Sequence, residues 1–218
     1  MEKKFELMKD SILEYDGKKF YRIKALRNFN DVKIGDIGGY VEKEKNLSHN
    51  GNCWLYDNAR VIENGFVCDN ATARGFSVIS NNAKLFGNAK MFDKSILLDF
   101  AKVYENAEIH DNAAVFDDSE VFGNAKAIQR SRIYNDAEIC LNGLIKTNFD
   151  YVTMQNLGNR FGAFTFFKLE DGNIGYSSIG DNKRGTLEEF IERCENSKYP
   201  QECNAIAKLI KIRFNRNK

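Results

Sequence analysis

From Leu55 to Ile145 an apolar residue returns at every sixth position without one insertion. Between those ends stand Val61, Val67, Ala73, Ile79, Leu85, Met91, Leu97, Val103, Ile109, Val115, Val121, Ala127, Ile133 and Ile139. Four places after each member comes a small residue, starting with Ala59, Gly65, Ala71 and Ser77 and ending at Gly143; Phe149 closes the row with a large side chain. A period of six matches neither an amphipathic helix nor a plain alternating strand. A fixed period means one small unit stacked on copies of itself. A short strand followed by a tight corner accounts for it. The apolar residue points inward, its two neighbours point outward, and the corner falls on the third and fourth residues. Those corners read Asp57-Asn58, Asp69-Asn70, Asn81-Asn82, Gly87-Asn88, Asp111-Asn112 and Gly123-Asn124, residue types that tolerate left-handed backbone. Three units close a triangular coil, with the small fifth residue packed inside the corner. Fifteen hexads predict about five coils, a prism about 24 Å long at the usual strand spacing.

The flanks carry other patterns. Residues 11–15 and 19–23 flank Asp16-Gly17, a hairpin turn signal; the hairpin would cover the open first coil, where a bare strand edge invites aggregation. Residues 161–169 and 173–178 around Asp171-Gly172 predict a second hairpin. Thr186-Leu187-Glu188-Glu189 has capping-box spacing and opens a helix to about Glu195, with Phe190, Ile191 and Cys194 on one face. After Pro200, residues 201–213 read as a last helix with Ala205, Ile206, Leu209, Ile210 and Ile212 as its apolar side. The expected organisation is an N-terminal cap over residues 1–46, the prism over 47–149, and a capping or oligomerising tail over 150–218.

The hexads resemble the hexapeptide repeat of left-handed parallel β-helices, best known from trimeric acyltransferases. The left hand is implied by that resemblance. Ahead of the repeats, the order Asn30-Asp31-Val32-Lys33, Gly38-Gly39-Tyr40, Leu47-Ser48 and Cys53-Trp54 is similar to the start of a family of bacterial and phage transferase-like hexapeptide proteins. The tail resembles modules at the C-termini of phage and prophage hexapeptide proteins. The expected fold is an all-β core with a small α/β C-terminal cap, the core being a left-handed parallel β-helix. The resemblance implies a mobile-element origin; it does not by itself imply an activity.

Grouping hexads by threes sorts the outward residues onto three faces. The first carries Trp54/Tyr56, Thr72/Arg74, Lys90/Phe92, Glu108/His110 and Lys126/Ile128. The second carries Arg60/Ile62, Val78/Ser80, Ile96/Leu98, Ala114/Phe116 and Arg132/Tyr134, and the third Phe66/Cys68, Lys84/Phe86, Lys102/Tyr104, Glu120/Phe122 and Glu138/Cys140. The second face is more apolar than a monomer normally exposes. Ile62, Val78, Ile96, Leu98, Phe116 and Tyr134 therefore predict a subunit interface, or a surface covered by the C-terminal helices. On the third face Phe86, Tyr104 and Phe122 stack in successive coils, with Lys84 and Lys102 beside them. Two readings stand: cross-strand packing, or a platform for a flat ligand such as a nucleobase with the lysines on its phosphate.

Enzymes of the resembled kind use a histidine general base at a cleft between subunits. Of the two histidines, His49 precedes the regular repeats and reads as structural. His110 points outward beside Glu108 and Asp111 and is the candidate base for acyl transfer from acetyl-CoA. No long loop interrupts the repeats to close such a site. The corner carboxylates Asp57, Asp69, Asp93, Asp99, Asp111 and Asp117 read as turn formers, and no His/Cys cluster has metal-ligand spacing. A net charge of +1 gives no general pull toward nucleic acid, and no apolar run is long enough to span a membrane. Lys208, Lys211, Arg213, Arg216 and Lys218 suit the C-terminal end of a helix. The five cysteines, odd in number, read as reduced thiols in the cytoplasm of a bacterium or an infected host cell. The expected function is a non-catalytic homo-oligomer, a trimer first, that needs no cofactor and blocks a host protein or sequesters a small nucleotide. Acyl transfer with His110 and a purely structural spacer are the alternatives.

Overall fold

A computed structural model describes residues 2–15, 17–155, 163–180 and 182–215. Asp16 of the first hairpin turn, Phe161 of the second hairpin, and Arg216 and Lys218 of the basic tail lie outside the described residues. Strands β1 (Phe5–Tyr15) and β2 (Lys18–Ala25) form the expected antiparallel hairpin. β3 (Ile37–Val41) pairs antiparallel with β2 on one side. On its other side Tyr40 and Val41 pair in parallel with Arg60 and Val61.

Then come β4 to β19, sixteen two-residue strands from Trp54–Leu55 to Leu144–Ile145, one at every sixth residue. Each strand from β4 to β16 pairs in parallel with the one 18 residues on, as Thr72 does with Lys90 and Lys90 with Glu108. Three parallel sheets result, and their membership is that of the three faces read from the hexads. The chain is a hexapeptide-repeat β-solenoid of about six turns, of the left-handed β-helix class. Its inward row from Val41 to Ile145 is fully buried.

The extra turn lies ahead of the regular repeats. Val41, Leu47 and Leu55 make it: Val41 stacks on Val61, Leu47 bridges to Val67, and Leu55 pairs with Ala73. Val41 and Leu47 keep the six-residue step, whereas Leu47 and Leu55 are eight apart; the longer step is the 48–53 loop. Gly38-Gly39 is required where β3 closes on that turn. A Cβ on Gly38 would lie 2.6 Å from the Leu55 carbonyl oxygen, and one on Gly39 would run into the Ala59 carbonyl. Because β3 continues into the hairpin, the second face becomes an eight-stranded sheet with β1 at its edge.

Every corner from residue 57 to 141 holds its first residue in the left-handed region, with φ from +53° at Asp57 to +69° at Gly75 and Gly123. Carboxylates at these corners reach along the prism axis. Asp57 accepts from the Gly75 N–H at 3.0 Å, Asp93 from Asp111 at 3.1 Å, Asp111 from Gln129 at 2.7 Å, and Asp117 from Asn135 at 2.8 Å. Along the edge between the third and first faces, amide side chains of Asn52, Asn70, Asn88, Asn106, Asn124 and Asn142 bond one to the next at 3.2–3.3 Å.

After the prism, β20 (Tyr151–Gln155), β21 (Ala163–Lys168), β22 (Ile174–Ser178) and β23 (Lys183–Thr186) form a four-stranded antiparallel sheet. The expected hairpin is its centre, and β20 and β23 are added on either side. Helix α1 (Leu187–Glu195) starts on the expected capping box: Thr186 Oγ1 accepts from the Glu189 N–H at 3.3 Å, and Glu189 Oε2 accepts from the Thr186 N–H at 2.7 Å. α2 (Pro200–Asn215) follows. Both helices pack on one side of this sheet, in a core of Phe166, Tyr176, Phe190, Ile206, Ile210 and Phe214. Phe167, on the other side, enters the solenoid core. The helices therefore leave the second face uncovered: Ile62, Val78, Ile96, Leu98 and Phe116 remain half-exposed and Tyr134 exposed.

A candidate ligand groove on the third face

Two columns run side by side along the prism axis. One is the corner column Asn64, Asn82, Phe100, Asp118 and Asp136; the other is the strand column Lys84, Lys102, Glu120 and Glu138. The C-terminal sheet docks on the last turn and closes one end. The Thr165 hydroxyl oxygen accepts from the Glu138 N–H at 3.1 Å, and the Ser177 hydroxyl donates to the Glu138 carbonyl at 2.8 Å. With Gln155, Ala163 and Ile179 as the end wall, the columns bound a groove of about 820 Å³. Gln155 is itself held there, its amide donating to Asp136 at 3.0 Å.

The groove is polarised along its length. Amides and lysines (Asn64, Asn82, Lys84, Lys102) line one end, and carboxylates (Asp118, Glu120, Asp136, Glu138) line the other. Phe100, 57% exposed, lies between them. Lys102 donates to Glu120 Oε1 at 2.6 Å, so its charge is already partnered. Lys84 is exposed and makes no ion pair among the described residues. The Glu138 carboxylate, half-buried, accepts no hydrogen bond among the described residues. Burial, and then the neighbouring Glu120 carboxylate, raise its pKa above the ordinary value, against the opposing pull of Arg184 and Lys102. The groove thus sets an exposed lysine at one end against a half-buried carboxylate of raised pKa at the other.

The aromatic ladder runs beside the strand column on the same face, two residues further along each strand. Phe86, Tyr104 and Phe122 are stacked with centroids 4.8 Å apart and planes within 8°. Each inner ring face is covered by its neighbour. Phe122 is buried, with the Arg184 guanidinium 4.8 Å from its centroid. The Tyr104 phenol donates to Glu120 Oε2 at 2.8 Å; burial, then that carboxylate, push its pKa far up, so it stays a donor. The ladder is thus a closed stack in which Tyr104 and Phe122 offer no free face to an inserting base. Of the residues singled out from sequence, Lys84 and Lys102 line the groove, and the three rings stand alongside them on the same face, outside its lining. Glu120, Glu138 and Phe100 were readable as outward or corner residues. Their significance came only from the sheet that walls them in.

His110 lies on the first face, away from this groove. Its ring stacks on Phe92 at 4.5 Å, and Nε2 is 3.2 Å from Glu108 Oε2. Glu108 also faces Lys90, at 3.4 Å. His49 is tied into the first turn: Nδ1 accepts from the Lys4 N–H at 3.1 Å, Nε2 is 2.9 Å from Glu44, and the ring stacks on Phe5. Among the described residues no group of three or more His, Cys, Asp or Glu side chains is arranged to hold a metal ion, and no helix is long and apolar enough to cross a membrane. No disulfide joins any two of the five cysteines.

No family model matches the chain. Over 66 residues it is 39% identical to a protein of Escherichia coli (strain K12) named uncharacterized acetyltransferase YdcK. The match takes in 30% of this chain and 17% of that relative's length. It accords with the hexad repeats and covers a minor part of both proteins.

Proposed function

We propose that the chain is a binding protein whose ligand lies along the third-face groove. The ligand is nucleotide-like: anionic at one end, flat in the middle, and rich in N–H donors at the other. Lys84 takes the anionic group, Phe100 offers its exposed ring to the flat part, and Glu138 with Asp118 and Asp136 accepts the N–H donors. Lys84 and Glu138 stand three strand spacings apart, about 14 Å, a span suited to a nucleotide. The polarity gradient between a free lysine and an unpartnered half-buried carboxylate carries this reading. The prism self-associates through its second face, as a trimer.

Titration calorimetry against a panel of mono- and dinucleotides tests the proposal. Lys84→Ala and Glu138→Gln should each weaken binding about tenfold, the loss of one charge-assisted hydrogen bond. Binding indifferent to both substitutions, or no binding by any nucleotide, would sink it. The partial similarity to a named acetyltransferase favours a second reading, acyl transfer from acetyl-CoA at a subunit boundary. There Glu108 would accept the His110 Nε2–H and leave Nδ1 as the base. His110→Ala would then abolish transfer to an amine or hydroxyl acceptor and leave the fold intact.

A further inference from the structure

An unusual buried pair lies in the first turn. Lys4 and Cys53 are both fully buried. Cys53 stands two places before Leu55, where Ala59 stands before Val61; it occupies the row of small inward residues, and its larger side chain brings sulfur into the interior. Lys4 Nζ lies 3.1 Å from Cys53 Sγ and donates to the Cys53 carbonyl at 2.8 Å. The backbone holds both partners in place. The Lys4 N–H donates to His49, the Lys4 carbonyl accepts from the Leu26 N–H at 2.9 Å, and the Cys53 N–H donates to the Asp69 carbonyl at 2.8 Å. A lysine is almost never fully buried without a carboxylate partner. Among the described residues the hydrogen-bond acceptors of this amine are the Gly51 and Cys53 carbonyls and the Cys53 sulfur. Burial lowers the Lys4 pKa, which favours the neutral, nucleophilic amine.

We propose that Lys4 and Cys53 are joined by a reversible nitrogen–oxygen–sulfur bridge, formed with dioxygen as the oxidant. The amine gives up one hydrogen and the thiol gives up the other. One oxygen atom forms bonds to Nζ and Sγ, and its partner leaves as water with the two hydrogens. Nitrogen and sulfur are each oxidised by two electrons, and dioxygen takes up the four. Two dithiol molecules return those electrons and restore amine, thiol and water. A single bridging oxygen nearly spans the observed separation, whereas a direct sulfur–nitrogen bond would need the atoms to close by more than an ångström. Dioxygen is small and apolar enough to reach a buried thiol. The bridge ties the start of β1 to the first turn.

Intact-mass and peptide mapping of air-exposed protein test this. The expected form is heavier by about 14 Da, one oxygen gained and two hydrogens lost. Its linked peptide joins Lys4 to Cys53, disappears with dithiothreitol, and is missing in Lys4→Arg and Cys53→Ala. The bridged protein should melt several degrees above the reduced one. Full alkylation of Cys53 in unfolded, air-exposed wild-type protein would overturn the proposal. So would a gain of about 16 Da on Cys53 alone, or a Cys53–Cys68 disulfide. These wild-type measurements decide the matter even if a variant fails to fold.

Discussion

At a corner of the prism one residue must do two things: accept a left-handed backbone and close the amide of its counterpart in the next turn. Aspartate does both, which is why Asp57, Asp93, Asp111 and Asp117 recur there. The first requirement was legible in residue type. The second was not, because it depends on a residue 18 positions away. Glu63, Glu105, Gln129 and Leu141 take the same conformation, with φ of +55° to +62°, and only the period identifies them as corners. Inside the corner, Ser77, Ser95 and Ser131 share one column with Ala59 and Ala113, and their hydroxyls are buried without a partner among the described residues. An unsatisfied buried hydroxyl is a net cost to the fold. Ser95→Ala should therefore raise stability by about 0.5–1 kcal/mol in urea denaturation; a loss of that size would mean the hydroxyl has found an acceptor. Glu138 is the charged form of the same case. Its raised pKa means that the ionised form weakens the fold once pH exceeds the ordinary carboxylate range. Glu138→Gln should raise the melting temperature at neutral pH, with the gain vanishing below about pH 4, while ligand binding falls.

Between the prism and the C-terminal sheet the joint is Asp150. Its carboxylate accepts from the backbone N–H groups of Lys146 and Thr147 at 3.0 and 2.7 Å and meets Lys168 at 2.7 Å. Burial works to raise its pKa, but the Lys168 ion pair and the two amides outweigh it and hold the group below its ordinary value. A depressed carboxylate contributes stability that is present above its unfolded pKa and lost as pH falls through the folded one. Asp150→Asn should cost about 1–2 kcal/mol at neutral pH by leaving the half-buried Lys168 unpaired, and much less in acid. An equal loss at both pH values would rule out the ion pair as the cause. The elements around this joint were only partly legible. The central hairpin and α1 carry turn and cap chemistry that residue types announce. The edge strand Lys183–Thr186 is polar and contains glycine, so no alternation marks it. β3 escaped for another reason: the eight-residue step from Leu47 to Leu55 hides that Val41 and Leu47 already keep the period.

On the scale of the whole molecule, the uncovered second face is an extended apolar surface. Phe76 and Phe100, 54% and 57% exposed, flank the half-exposed Val78, Ile96 and Leu98. If this face joins subunits, Ile96→Asp should convert the oligomer to monomers in native mass spectrometry without altering the β-sheet circular dichroism. A wild-type monomer, or an oligomer unaffected by the change, would remove the interface from consideration. The faces themselves could be read from the hexads alone, since the grouping by threes needs only arithmetic. The groove could not, because its end wall comes from a sheet whose docking position no local pattern encodes.

That docking position has a consequence for how such a chain can change over generations. Duplicating or deleting a whole turn, 18 residues, keeps every later side chain on its original face. Gaining or losing a single hexad instead rotates everything downstream by a third of a turn. The C-terminal sheet would then hang over a different side of the prism from Lys84, and the two ends of the groove would part company. Length is free to drift in this molecule, but only in steps of three hexads.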